Sequence, residues 1–216
     1  MTTVSFSIGE ALGFGWKTFK EHAWMLLAAV IGLFGLIFAL QWGLEALLGE
    51  KSLLASVLGT LVSTLSGCCL VGFYLDLFET GTPDFQALFS RLSLKKAINF
   101  LLYSAAYGFI CMVGFILLIV PGFVFAAMFS QGGYLIIDRD LNFLQALQES
   151  AKMTKGAKVD LFLFGLAGFG LCMLGLIALV VGVVVAIIVL GLAQTYIYRQ
   201  LLPKLDTPDT LTVVTP

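Results

Sequence analysis

The stretch GFVFAAMFSQGGYLII (residues 122–137), followed by DRDLNFLQALQESAKMTKGAKVD (138–160), decides how this chain is folded. Its first part is apolar but only 16 residues long. As a helix rising about 1.5 Å per residue it would cover roughly 24 Å, against a bilayer core of about 30 Å. Length alone leaves a full crossing and a re-entrant segment both open. Charge favours the crossing. Without it, Arg139, Lys152, Lys155 and Lys158 would lie on the side opposite the other basic clusters, against the tendency of Lys and Arg to stay in the cytoplasm.

The rest of the chain has the same grammar. Of 216 residues, 60% are hydrophobic and 12% charged, with a mean hydropathy of +1.03. A soluble domain carries about 25% charged residues, and a surface this poor in polar groups suits lipid rather than water. Eleven of the 12 Lys and Arg residues sit in four short stretches separated by apolar runs. These runs predict six transmembrane helices, at about 23–48, 53–78, 98–120, 122–137, 160–180 and 183–201. The first run is too long for a secretory signal, whose apolar region is roughly 7–15 residues. The region from Leu161 to Tyr198 has no charge and is too long for one crossing. The run Val180-Val181-Gly182-Val183 is the expected turn within it. Pro121 and Gly122 are the expected hairpin between the third and fourth spans, because proline has no helical donor. The tail 204–216 lacks periodicity and reads as disordered. Basic residues then place both termini and the two longest connections in the cytoplasm.

Three cytoplasmic segments preceding a span resemble one another. Each has Ala-Leu, at Ala11-Leu12, Ala87-Leu88 and Ala146-Leu147, with a Lys nine residues after the Ala: Lys20, Lys96 and Lys155. Each reads as a short amphipathic helix in the headgroup layer. In the first, Ile8, Ala11, Leu12, Trp16 and Phe19 share a face, and Ser7 with Glu10 fits a capping box. In the second, Thr82-Pro83 fits a helix start. In the third, Asn142 is the cap, Leu144, Leu147 and Ala151 form the stripe, and Gly156 ends it. The fold expectation is therefore an all-α integral membrane protein. It has six spans and three cytoplasmic interfacial helices, arranged as three tandem units of interfacial helix plus transmembrane hairpin. Lys17, Lys20, Lys95, Lys96, Lys152 and Lys155 are the candidate lipid-headgroup contacts.

Polar residues inside spans are the default functional candidates. They are Gln131, Gln194, Asn99 and Gln41, each also suited to gluing helices together. Gly59, Ser63 and Gly67, and likewise Gly35, Ala39 and Gly43, form small-residue stripes that predict close packing of the first two spans or dimerisation. Cys68, Cys69, Cys111 and Cys172 have no ligand spacing and read as packing residues. His22, the one histidine, has no nucleophile partner in a recognisable motif. No catalytic residue, metal site or cofactor site is expected, no phosphate loop is present, and a net charge of −1 gives no case for nucleic acid.

The order Pro121-Gly122, Asp138, Ala146-Leu147, Ser150 and Lys155 resembles a group of uncharacterised bacterial multi-pass inner-membrane proteins. The group includes the YciC-like family and the membrane domain of some glycerophosphodiester phosphodiesterases. The likeness covers roughly residues 118–165. It implies a bacterial cytoplasmic (inner) membrane protein with no activity attached; this chain carries no phosphodiesterase domain. The functional expectation is a non-enzymatic scaffold or envelope-homeostasis protein whose partners are membrane lipids and a partner membrane protein or second copy. The alternative is a small transporter, channel or lipid-handling subunit.

Overall fold

A computed structural model describes residues 6–49, 52–84, 86, 91, 93–117, 119–177 and 179–206. The described residues form nine helices and no strand: α1 (Ile8–Leu48), α2 (Leu53–Thr80), α3 (Leu94–Leu117), α4 (Ile119–Phe129), α5 (Gly132–Arg139), α6 (Phe143–Met153), α7 (Lys158–Ile177), α8 (Leu179–Leu201) and α9 (Pro203–Asp206). Among the described residues, five helical stretches are long and apolar enough to cross a membrane: α1, α2, α3, α7 and Val181–Asp206. Their outward faces fit lipid. Trp24, Leu53 and Ile177 are more than four-fifths exposed, a surface that water would not tolerate over so much of a molecule.

The predicted fourth span is not one helix. It is α4 and α5, of 11 and 8 residues, with the break at Ser130-Gln131. Even so, the chain returns to where it left. The Lys96 Nζ donates to the Ile137 carbonyl at 2.7 Å, and Lys95 pairs with Asp140 at 3.1 Å. The start of α3 and the end of α5 therefore meet, and α3–α4–α5 is a closed excursion. The pairs α1–α2 and α7–α8 make two more.

Helix α1 joins the predicted interfacial segment to the first span, with a kink at His22 (φ −126°, ψ 24°). Ser7 caps it by accepting from the Glu10 N–H at 3.3 Å, without the reciprocal Glu10 bond of a full capping box. Beyond the kink, exposed Trp24 and Trp42 stand 18 residues apart, or about 27 Å along a helix. That matches the spacing of two interfacial aromatic belts. Before the kink, Gly15 lies against α8: a Cβ there would stand 2.5 Å from the Val189 carbonyl. Such close approach is how helices associate where lipid removes the hydrophobic drive.

Helix α6 starts at Asn142 with a complete capping box, Gln145 N to Asn142 Oδ1 at 2.9 Å and Asn142 N to Gln145 Oε1 at 3.3 Å. Gly156 (φ +86°) follows it. Its buried face differs from the expected stripe. Ala146, Ser150 and Met153 are buried while Leu144 is exposed. The helix is turned this way because Ser150 serves the α4–α5 break, as described below. The corresponding second segment falls in part on residues outside those described, Ala87 and Leu88 among them.

Two turn expectations shift. Helix α4 is described from Ile119, so Pro121 sits in its first described turn, where its missing N–H costs nothing. Gly122 is a packing glycine, within reach of Gly114 and of the Phe115 ring. The Val180–Val183 run lies inside α8 rather than in a turn, and a Cβ on Gly175 would stand 2.7 Å from the Gly182 backbone. Helix α9 occupies the start of the predicted disordered tail, held by Arg139, whose two guanidinium nitrogens reach Asp206 at 2.8 Å each. The remainder, 207–216, lies outside the described residues. The stripe Gly35, Ala39, Gly43 does not pack on α2: a Cβ on Gly35 or Gly43 meets nothing within 4 Å. Instead Gln41 donates to Ser63 at 2.9 Å, beside Gly59.

Candidate functional site

A helix leaves its last four carbonyls without partners. In lipid no water can supply them, and each orphan costs roughly 1–3 kcal/mol. The last four carbonyls of α4 are those of Ala126, Ala127, Met128 and Phe129. Every one receives a hydroxyl. Tyr107 donates to Ala126 at 3.2 Å, and Ser130 donates to Ala127 at 2.9 Å. Ser150 donates to Met128 at 2.9 Å, and the Thr154 hydroxyl is shared between that carbonyl at 3.0 Å and the Ser150 carbonyl at 2.8 Å. Tyr103 donates to Phe129. Across the break, the Gln131 backbone N–H donates to Ser150 Oγ at 3.2 Å. Ser150 thus joins both sides of the break, accepting from one and donating to the other. The glycine pair makes this geometry accessible: a Cβ on Gly132 would stand 2.3 Å from the Tyr103 ring.

Gln131 is fully buried in this knot. Its Nε2 donates to Ser130 Oγ at 3.2 Å, while its Oε1 has no partner among the described residues.

One helix further along, α5 delivers Asp138 to an ionic cluster. Asp138 lies 3.2 Å from Arg199 and 3.8 Å from Arg91, and accepts from the Tyr198 hydroxyl at 2.7 Å. Glu79 bridges the same two arginines, and Asp76 stands 3.5 Å from Arg91. Burial alone would lower the Arg91 pKa, but the carboxylates of Glu79, Asp76 and Asp138 outweigh it and hold it above the ordinary value. Asp138 therefore joins the second connection to α8 and, through the shared arginines, to α2. Lys204 adds a link from α9 to the Lys155 carbonyl at 3.4 Å. The N-terminal Phe6 and Ile8 belong to the same packed cluster as Leu201 and Leu205. One face of the molecule thus gathers the second and fourth connections and both ends of the described chain.

The six candidate lysines divide on this face. Lys95 is paired with Asp140, Lys96 with the Ile137 carbonyl, and Lys152 with Glu149 at 2.7 Å. Lys17, Lys20 and Lys155 are exposed, and their ammonium groups have no acceptor among the described residues; Lys20 lies over the Trp16 ring at 6.0 Å. Asn99 bonds the Lys95 carbonyl at 2.9 Å and accepts from the Phe143 N–H at 3.3 Å, so it fixes the start of α6. Cys68 and Cys69 are buried and all four cysteines are free. His22 stands at the α1 kink with a buried, unpartnered Nδ1. Among the described residues no group of His, Cys, Asp or Glu is placed to hold a metal ion.

The fourth polar candidate, Gln194, opens a different site. It lines a cleft of about 610 Å³ among α3, α4, α7 and α8, together with Tyr107, Ser130 and a set of apolar and aromatic side chains. The cleft adjoins the knot, since Tyr107 and Ser130 belong to both. Sequence reasoning singled out Gln131, Gln194 and Ser150 but not Tyr103, Tyr107 or Thr154. The available signal was spacing: Ser150 and Thr154 stand four apart on one face of α6, as do Tyr103 and Tyr107 on α3.

No protein-family model, curated protein or solved structure matches this chain.

Proposed function

We propose that this chain is a non-enzymatic, multi-pass protein of a bacterial cytoplasmic membrane, acting as a scaffold or envelope-homeostasis factor through its basic face. The carrying observation is that two basic connections and both described ends meet on one face, which still presents Lys17, Lys20 and Lys155 unpaired. The positive-inside tendency puts that face in the cytoplasm. Helices α4 and α5 together then make the sixth crossing. Residues 8–21 and α6 lie at the headgroup level, where unpaired lysines attract anionic lipid with about 1 kcal/mol each. The test is thermal stability in mild detergent with added phosphatidylglycerol. The wild type is expected to gain several degrees, and the variant Lys17→Gln/Lys20→Gln/Lys155→Gln to gain little at an unchanged basal Tm. An equal gain in both would remove the basic face from the function.

A second reading, a small transporter or channel, is favoured by one observation: the broken return helix with the unpartnered Gln131 Oε1. Broken helices in membranes line substrate sites as well as structural knots. Saturable flux in proteoliposomes that disappears in Gln131→Leu would establish this reading over the scaffold. Equal flux in protein-free vesicles would dismiss it.

A further inference from the structure

We propose that the cleft among α3, α4, α7 and α8 binds an uncharged long-chain amphiphile with a hydroxyl-bearing head. Its volume, about 610 Å³, falls in the range of small-molecule sites, roughly 300–1,000 Å³. The walls are aromatic and aliphatic, from Phe123, Phe162, Phe164, Leu166 and Phe169. Leu166 and Phe169 are also more than half exposed on the apolar outer surface, so a chain can enter sideways from lipid.

The polar end selects the head. The Tyr107 hydroxyl proton is committed to the Ala126 carbonyl and the Ser130 proton to the Ala127 carbonyl. Both oxygens therefore offer lone pairs only, and one lone pair of Ser130 already accepts from Gln131 Nε2. The Gln194 amide has no partner among the described residues and offers donors and an acceptor. A hydroxyl, which donates and accepts at one atom, complements that set. A carboxylate or phosphate would be desolvated with no Lys or Arg in the lining, and an ammonium with no Asp or Glu. The site rests on the membrane placement proposed above but not on the basic face. A failed phosphatidylglycerol response would leave it standing.

Native mass spectrometry of the full chain in detergent tests this with three probes of one chain length: 1-monooleoylglycerol, oleate and oleylamine, at pH 8. The wild type is expected to retain the glyceride about tenfold more tightly than either ion, the scale of one hydrogen bond lost to a buried group. Gln194→Leu should lower retention of the glyceride about tenfold, the scale of one lost hydrogen bond, while its chain still binds. Gly165→Leu should abolish retention of all three. Gly165 lines the cleft and a Cβ there meets nothing within 4 Å, so this variant fills the space without displacing backbone. Equal retention of the three probes by the wild type, retention of none, glyceride retention unchanged in Gln194→Leu, or undiminished binding in Gly165→Leu would each overturn the proposal.

Discussion

Helix α2 and the pair α4–α5 are both return legs, and both are rich in hydroxyl contacts, but the hydroxyls do opposite things. In α2, Thr60, Thr64 and Ser66 each donate to the carbonyl four residues earlier in the same helix. Those carbonyls already carry a helical N–H bond, so the hydroxyl merely satisfies itself. At the end of α4 the hydroxyls come mostly from other helices and reach carbonyls that the break has left bare. The same group therefore decorates one leg and replaces lost helix bonds in the other. An uninterrupted helix needs no neighbour to close its own backbone, whereas a broken one depends on α3 and α6.

The sharpest way to break this comparison acts where the knot hands over to the ionic cluster. Asp138→Ala leaves Arg91 and Arg199 sharing Glu79 and Asp76 alone and should cost about 3–4 kcal/mol in denaturant unfolding from detergent. A loss under about 1 kcal/mol would mean that the cluster does not anchor α5. Next, Gly132→Ala forces a methyl into the Tyr103 ring and should cost about 2–3 kcal/mol, with Gly165→Ala as a neutral control. The direct test of the two hydroxyl roles comes third. Ser150→Ala/Thr154→Val strips the Met128 carbonyl and should cost about 2 kcal/mol, while Ser66→Ala in α2 should cost under about 0.5 kcal/mol. Equal losses would erase the distinction. Apart from the two controls, the smallest effect is expected for Gln131→Leu, which removes a buried acceptor unpartnered among the described residues together with one bond to Ser130; stability should change by less than about 1 kcal/mol.

Much of the fold was legible because the solvent imposes it. Apolar runs located the helices of all three excursions, and the basic clusters identified segments that do come together. Asn142 and Gly156 bounded α6 because caps are local chemistry. The break in α4–α5 was not legible. No proline marks it, and Gln131 followed by two glycines permits a break without requiring one. What fixes it is the set of hydroxyls on α3 and α6, which approach only once the chain has folded. The same dependence turned the α6 face: Leu144 fits a stripe by spacing, but Ser150 and Thr154 must point at Met128. The turn residues misled for a related reason. Gly122 and Gly182 looked like loop formers, yet each is spent on close packing inside a helix. At the site, Gln131 and Gln194 stood out as polar residues in apolar runs, whereas Tyr103 and Tyr107 looked like ordinary aromatic packing until their hydroxyl partners were in view.

The central claim is that the broken pair α4–α5 returns the chain to the face that carries the basic connections. Impermeant-maleimide labelling of single cysteines in intact cells tests it most directly, in a background with the four native cysteines replaced. Gln148→Cys on α6 and Gln200→Cys on α8 are both exposed positions, and Lys51→Cys lies in the first connection. The account predicts that Gln148→Cys and Gln200→Cys label only after the membrane is opened, while Lys51→Cys labels from outside. Labelling of Gln148→Cys in intact cells while Gln200→Cys stays protected would contradict it.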